Sequence, residues 1–272
     1  MVIKQNSSYK LPLTKKEIIV KYQEGLSCAA ISKLCNCSAN NIYAILKKAN
    51  IPTRSLAEAA TKYSLNHQYF TNIDSEEKAY FLGFLFADGS VTNKKMTLSL
   101  QEKDIHILEL FKKSIEYTGP IIINNKLGNR QKQYRLVITS KSLVKDLHKY
   151  GVTVNKAFNL KFPLDISKNY YHHFIRGYFD GDGCIYTNKI KSDYLISMIG
   201  PKVFLEAIQT ILIDELKLNL TKLYNPKNCK ETGLHTLTYQ GKKNVIKIGD
   251  FLYKNATCFL YRKHGKYLTI HS

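Results

Sequence analysis

Apolar and polar positions along this chain follow two periods, 3.6 and 2, and the order in which those periods alternate occurs twice. Two almost wholly apolar runs set the frame. Phe81-Leu82-Gly83-Phe84-Leu85-Phe86-Ala87-Asp88-Gly89 and Ile175-Arg176-Gly177-Tyr178-Phe179-Asp180-Gly181-Asp182-Gly183 align without a gap, residue 81 on 175 and residue 89 on 183. After each run the pattern switches to alternation. Met96, Leu98 and Leu100 point one way and Thr97, Ser99 and Gln101 the other, which predicts a strand paired with 90–93 through a Lys-Lys turn. A helix is predicted over Asp104 to Glu116, with Ile105, Leu108, Phe111 and Ile115 inward. A second hairpin follows from Ile121 to Ile123 and Tyr134 to Thr139, then a helix from Ser142 to Tyr150 closed by Gly151. The second run is succeeded by strands near Cys184 to Asn188 and Tyr194 to Ile199 and a helix from Pro201 to Leu216. Strands near Leu223 and His235 to Gln240 and a helix from Lys242 to Tyr253 complete it. A repeat of this length with mixed elements is a duplicated domain and not a solenoid. The expected fold is α+β, two pseudo-symmetric αββαββα repeats joined through their apolar helices.

Ahead of the repeats the pattern is helical only. Thr14 and Glu17 have the spacing of a capping box, and the helix they open stops at Gly25. Ser27 opens a second helix with Ala29, Ala30, Ile31 and Leu34 on its apolar side. Cys35-Asn36-Cys37 makes a tight turn, and Ser38 caps a third helix, Ala39 to Ala49, with Ile42, Ile45, Leu46 and Ala49 in helical register. Pro52 ends the pattern. These dimensions resemble a helix-turn-helix DNA reader, in which the start of the second helix of the pair faces base edges. Asn40, Asn41 and Tyr43 are then candidate base readers, with Lys33, Lys47 and Lys48 on phosphates. An ordinary three-helix packing module has the same pattern. Domains are expected at 1–55, 75–166 and 167–272, with 56–74 a linker carrying a short helix near Leu56 to Lys62.

The two apolar runs carry small residues four apart, Gly83 and Ala87 in one and Gly177 and Gly181 in the other. On a helix such pairs form a side-chain-poor stripe that lets two backbones approach, and each run is the natural partner of the other. Each run ends in Asp-Gly. Gly89 and Gly183 suit a left-handed C-terminal turn. Asp88 and Asp182 are misplaced there, because a carboxylate opposes the macrodipole and parallel packing brings the two charges together. A divalent cation with a phosphate beyond it removes both penalties. A mere helix stop explains one Asp-Gly, and two matched copies make that explanation the weaker one.

Charge points to the same partner. Lys and Arg number 41 against 21 Asp and Glu, a formal net charge of +20, which makes a polyanion the leading partner class. The prevalence of Lys over Arg is what an AT-rich genome produces, but the low acid count is not. Six cysteines include no C-x2-C pair, so a zinc site is disfavoured and reduced thiols of a cytoplasmic protein are expected. His172-His173 is a lone pair at a helix start. No segment has the length and apolarity of a signal peptide or a membrane span. A cytoplasmic location, in a bacterium or a phage-infected host, is the expectation.

The paired runs resemble the signature of the LAGLIDADG homing endonucleases, in the form with two motifs on one chain, and the resemblance extends from about Ser75 to the C-terminus. The chain departs from the motif at its sixth position, where Phe86 stands opposite Asp180, and at Arg176, where a small or apolar residue is usual. The resemblance implies a site-specific double-strand DNA endonuclease acting as a monomer on a long asymmetric site. Two or three Mg2+ ions would be shared between Asp88 and Asp182. Cuts staggered across the minor groove would leave short 3′ overhangs, into which the host gene copies itself. Lys156 and Lys263 match the lysines that lie beside the scissile phosphate in each repeat. Gln101 matches a polar residue that holds water near the metal, with no counterpart near Gly200. Thr97 and Ser99 lie on the outward face of a β-ribbon that fits the major groove. The alternatives on the same scaffold are a non-cleaving DNA-binding regulator and an RNA maturase.

Overall fold

The computed structural model describes residues 11–23, 26–53, 63–124, 132–154, 159–188, 190, 192–225 and 233–271. They belong to two compact units, 1–63 and 64–272.

In the first unit lie α1 (Lys15–Gln23), α2 (Cys28–Leu34) and α3 (Ala39–Lys48). The Thr14 N–H donates to Glu17 Oε2 at 2.7 Å while the Glu17 N–H donates to Thr14 Oγ1 at 3.3 Å, a capping box. Ser27 and Ser38 accept from the N–H groups of Ala30 and Asn41. Ile18, Tyr22, Ile31, Cys35, Ile42 and Leu46 form a small core. The expected apolar side of α2 is corrected: Ala29, Ala30 and Leu34 are exposed, and the helix buries only Ile31 and Ser32. A two-turn helix touching α1 and α3 offers them a single narrow stripe. The helix expected near Leu56 to Lys62 lies outside the described residues.

The second unit begins earlier than the sequence suggests. Residues 64–74 were expected as linker, yet Tyr69, Phe70 and Ile73 are buried in the unit's core. The Asn66 N–H donates to Ile115 O and the Ser64 N–H to Thr118 Oγ1, so this stretch is fastened to the first repeat. That repeat comprises α4 (Glu76–Asp88), β1 (Gly89–Val91), β2 (Lys95–Gln101), α5 (Ile105–Ser114), β3 (Ile122–Asn124), β4 (Gln133–Thr139) and α6 (Lys141–Tyr150). Its antiparallel sheet has the order β1-β2-β4-β3. The second repeat runs α7 (Tyr171–Asp182), β5 (Gly183–Asn188), β6 (Asp193–Pro201), α8 (Lys202–Leu216), β7 (Leu234–Gln240) and α9 (Lys242–Tyr253). Its sheet has the order β5-β6-β7, and the strand expected near Leu223 is reduced to a bridge between Tyr224 and Thr236. A further helix, α10 (Tyr261–His271), follows. The two-repeat α+β fold expected from the pattern is the fold observed.

Both repeats pivot on α4 and α7, whose central residues are almost all buried. The contact is reciprocal. A Cβ built on Gly83 would strike the Phe174 carbonyl and come 2.9 Å from Tyr178 N, and one on Gly177 would strike the Tyr80 carbonyl and come 2.8 Å from Phe84 N. Gly181 faces the Cβ of Ala87, which completes the small-residue stripe. Only hydrogen fits at the two central positions, so backbone lies directly on backbone.

Gly83→Ala or Gly177→Ala is therefore expected to lower unfolding free energy by about 1–3 kcal/mol or more, through overpacking. Gly265, inside α10, has nothing within 4 Å of a built Cβ. Gly265→Ala is expected to raise stability by roughly 0.5–1 kcal/mol. Thermal melts of the three variants, which should move in opposite directions, check the assignment.

Candidate active site at the ends of the paired helices

Packing through glycine delivers the last residues of α4 and α7 side by side. Asp88 is exposed and Asp182 half-buried, and the Asp88 Oδ2 lies 3.1 Å from a Cβ built on Gly181 of the opposite helix. Near them Tyr178 is buried, and its hydroxyl donates to Ile199 O at 2.7 Å. Burial raises the Tyr178 pKa, and the charges of Asp182 and Asp88 push it the same way, so both carboxylates bear on one point.

The glycines that follow do not adopt the expected left-handed turn. Gly89 has φ −73° and ψ 148°, and Gly183 has φ −101° and ψ 168°, both extended. Each helix passes straight into a strand. Glycine is needed there for room: a Cβ on Gly89 would lie 2.6 Å from Leu85 O and one on Gly183 2.6 Å from Phe179 O.

Lys263 is 3% exposed and enters from α10. Its Nζ donates to the carbonyl oxygens of Phe179 and Asp180, in the last turn of α7. A cation on those carbonyls opposes the negative end of the helix. Burial lowers the Lys263 pKa to about 8, while the charges of Asp180, Asp182 and Asp88 pull it upward. The ammonium is thus lodged behind the carboxylates, held in protein and not on the surface. Its counterpart Lys156 lies outside the described residues.

Two polar side chains that break the apolar pattern hold this arrangement. Asp180 is fully buried; its carboxylate accepts from Tyr253 OH at 2.6 Å, Tyr80 OH at 2.9 Å and the Leu260 N–H at 2.8 Å. Burial raises its pKa, against the pull of the Tyr253 hydroxyl, Lys263, the Leu260 N–H and Tyr80. Arg176, also fully buried, donates from Nε to Cys258 O at 2.8 Å, from Nη1 to Leu252 O at 3.0 Å and from Nη2 to Glu76 at 2.6 Å. Glu76 in turn accepts from the Thr257 N–H at 2.7 Å. Together they bind the segment 252–260 to both paired helices and so place Lys263. Sequence reasoning marked both residues only as departures from the motif. The signal that identifies them is a charge inside a buried helical run, which is tolerated only with partners.

The remaining sequence-derived residues fall in separate places. Asn40, Asn41, Tyr43, Lys47 and Lys48 are all exposed along α3, in the first unit. Thr97, Ser99 and Gln101 lie on the open face of β2, opposite the buried Met96, Leu98 and Leu100. Register gives the second-repeat counterpart of Gln101. Gly89 pairs with Leu98 and Gly183 with Met198, so Gln101 corresponds to Pro201. A cavity of about 570 Å³ beside Asp182 is lined by Pro201, Ile199 and Leu234 of the second sheet, and by Ser90 and Thr92 from the first repeat.

Among the described residues no cluster of three or more His, Cys, Asp and Glu could hold a metal. Two carboxylates, one exposed and one half-buried, suit Mg2+, which keeps waters and takes one or two carboxylates plus phosphate oxygens. They do not suit a closed zinc site.

No protein-family model matches the chain. An uncharacterized protein of Methanocaldococcus jannaschii, MJ0314, is 29% identical over 169 residues, which are 57% of this chain and 58% of that protein. The match thus spans less than two thirds of that relative's length. Among solved structures, the homing endonuclease I-WcaI bound to its DNA recognition sequence is similar over 81% of this chain and 97% of its own, with a TM-score of 0.55 and 13% identity. The I-LtrWI LAGLIDADG homing endonuclease bound to target DNA aligns over 76% of this chain and 91% of its own, with a TM-score of 0.48 and 15% identity. The fold is that of the homing endonuclease I-WcaI.

Arg176 has one titrating neighbour with a visible consequence. His173 accepts the Arg176 Nη1 on Nδ1 at 2.9 Å, and burial, then Arg176 and His172, lower its pKa to about 4, against Glu76. A histidine depressed from 6.5 to about 4 contributes stability that is complete above about 6.5 and lost as pH falls toward 4. Denaturant midpoints followed from pH 7 to pH 4 should fall, and His173→Gln, which does not titrate, should flatten the part of that fall assigned to this residue.

Proposed function

We propose that the chain is a divalent-metal-dependent, site-specific double-strand DNA endonuclease, acting as a monomer on a long asymmetric duplex site. The observation that carries this reading is the pairing of Asp88 and Asp182 at the ends of two helices in backbone contact, on a chain of net charge +20. Like charges at two adjoining helix C-termini repel; the buried Lys263 offsets part of that from behind, and a divalent cation on the exposed side, bridging to a phosphate of the DNA backbone, would offset the rest. The fold shared with I-WcaI, a homing endonuclease that binds a DNA recognition sequence, agrees with it.

Asp88 and Asp182 would hold the metal. Bound Mg2+ supplies polarisation of the scissile phosphate, a lowered pKa for the attacking water and charge neutralisation at the leaving 3′-oxygen. Lys263 keeps a positive charge close behind Asp182 and offsets the anion that gathers in the transition state. Gln101 orients water on one side only, since Pro201 at the matching position has no hydrogen to donate. Lys156 would serve the other repeat as Lys263 serves its own. Residues 1–55 add a reader of flanking DNA through Asn40, Asn41 and Tyr43, with Lys47 and Lys48 on phosphates. The small hydroxyls of Thr97 and Ser99 face the major groove.

A duplex selected from a random library by the full chain is the substrate for the test. Cutting is expected in Mg2+ and not in EDTA. Asp88→Asn or Asp182→Asn should lower double-strand cutting on the order of 100-fold or more while binding is retained. Selective binding in Mg2+ without any cut would leave a non-cleaving DNA-binding protein in place of the enzyme.

Lys263 adds a pH dependence. Its ammonium persists below about pH 8 and is lost above it. Single-turnover cutting with saturating protein should therefore decline as pH rises through 8. A rate level to pH 9.5 would mean that this charge takes no part.

A further inference from the structure

Residues 257–263 belong to the second repeat, yet both repeats grip them in turn. The N–H groups of Thr257 and Cys258 donate to Glu76 of α4 at 2.7 and 3.3 Å, and the Cys258 carbonyl accepts from Arg176 of α7. His106 of α5 donates from Nε2 to the Phe259 carbonyl at 3.3 Å, and the Leu260 N–H donates to Asp180 of α7. Tyr261 lies flat on the His106 ring, centroids 3.8 Å apart and planes 2° from parallel. The Arg262 Nε–H is shared between both carboxylate oxygens of Asp104, at 3.1 and 3.2 Å. The next residue is Lys263, which enters the last turn of α7. Asp104 is the anomaly among these partners, being only 5% exposed. The register that equates Gln101 with Pro201 equates Asp104 with Phe204, a core residue packed near Phe86, Phe162 and Phe174. A carboxylate in a core position carries a desolvation cost that a phenylalanine does not.

We propose that Asp104 of the first repeat is a positioning residue for Lys263 of the second, so that the ammonium behind Asp182 is aligned from across the repeat boundary. The inference rests on the endonuclease reading for what Lys263 does with its charge. Tyr261, Arg262 and Lys263 share the first turn of α10, so holding the first two fixes where that helix starts and the direction in which the lysine leaves it. The His106 stack holds Tyr261, and Asp104 holds Arg262. The Arg262 side chain is 42% exposed and would otherwise turn into solvent. A partly exposed ion pair of this kind adds little to stability, and a buried carboxylate costs some. What the pair sets is position. Arg262 also acts on its neighbour by charge. After burial, it is the group that lowers the Lys263 pKa, against the pull of Asp180, Asp182 and Asp88.

The test is single-turnover cutting in Mg2+ by saturating full-length chain, on a duplex selected from a random library, beside binding of the same duplex in Ca2+. Asp104→Asn frees Arg262 to hydrate and strands no charge in the core. It is expected to lower the cutting rate about tenfold, the scale on which a displaced charge is felt, while the dissociation constant in Ca2+ stays at the wild-type value. Adding Arg262→Gln to Asp104→Asn should slow cutting no further, because the two side chains act as one unit. The double variant also lacks the charge that lowers the Lys263 pKa, so its decline in rate at high pH should begin above that of the wild type. A packing role alone would leave the pH of that decline where it is. Cutting at the wild-type rate in Asp104→Asn overturns the proposal, as does loss of cutting and binding together, or a decline at unchanged pH in the double variant. A salt slope for binding that falls by about one between Asp104→Asn and the double variant overturns it too, because Arg262 would then be a phosphate contact. Each of these results leaves the endonuclease reading standing. A wild-type chain that binds its selected duplex and never cuts it overturns that reading, and the assignment of Asp104 with it.

Discussion

Everything in the second unit follows from two glycines with no room for a methyl group. Gly83 sits under the Phe174 carbonyl and Gly177 under the Tyr80 carbonyl, a contact that repeats itself when the two helices are exchanged. Side chains ordinarily hold helix axes 8–10 Å apart. Removing them at the crossing lets backbone touch backbone, so the relative position of the repeats is set by atoms that have no rotamers. That constraint puts Asp88 and Asp182 together. A longer, softer interface would let the carboxylates relax apart, and their mutual repulsion favours that relaxation.

Around the glycine contact the two repeats solve one packing problem differently. Phe86 lies against Phe174, ring centroids 4.9 Å apart, and near Phe204. At the matching place in the other repeat, Asp180 takes the Tyr80 hydroxyl, and Tyr80 is the counterpart of Phe174. An apolar edge-to-face pair on one side is thus a hydroxyl–carboxylate pair on the other. The polar version does more, because Asp180 also receives Tyr253 and the Leu260 N–H, and the segment so fixed carries Lys263. Burying Asp180, Arg176 and Lys263 costs several kcal/mol of desolvation, and such a group is weak evidence of added stability. Its effect is specificity of position. Each of the three has its partners in place, and removing any one strands the others in a low-dielectric core.

The alternating and helical periods were enough to find the repeats, because both depend on burial along single elements. Met96, Leu98 and Leu100 are buried as their alternation requires, and the motif helices were legible from composition alone. Missed features depend on contacts between distant segments. Residues 64–74 read as linker because Tyr69, Phe70 and Ile73 are scattered among polar residues, yet hydrogen bonds to Ile115 and Thr118 hold them in the core. Helix α10 has a weakly patterned sequence, YRKHGKYLTIH, and is fastened by Lys263 and by Tyr267 to Asp250. For the site, Asp88 and Asp182 were legible because they are a repeated anomaly. The roles of Asp180 and Arg176 were not, since a lone charge in an apolar run announces a partner without saying which. Gly89 and Gly183 show the same limit: the residue type was read correctly and the reason for it was not, because extended backbone with a crowded Cβ position looks in sequence like a left-handed turn.

Joining two repeats in one chain has a consequence for which positions can differ. In a symmetric dimer of identical chains, any change in one half-site appears in both. Here Gln101 corresponds to Pro201, Ser99 with Arg135 to Ile199 with Thr236, and Phe86 to Asp180. The same chain keeps Gly83 with Gly177, and Asp88 with Asp182, as matched pairs. The distinction is physical. The matched glycines lie at the crossing, where each sits under a carbonyl of the other helix and no side chain fits. Departures occur where a side chain still finds a complementary partner: Gly181 meets the Cβ of its own counterpart Ala87, and Asp180 stands in the place of Phe86 because Tyr80, the counterpart of Phe174, brings a hydroxyl to it. Backbone contact enforces the symmetry of the repeats, and side-chain contact releases it.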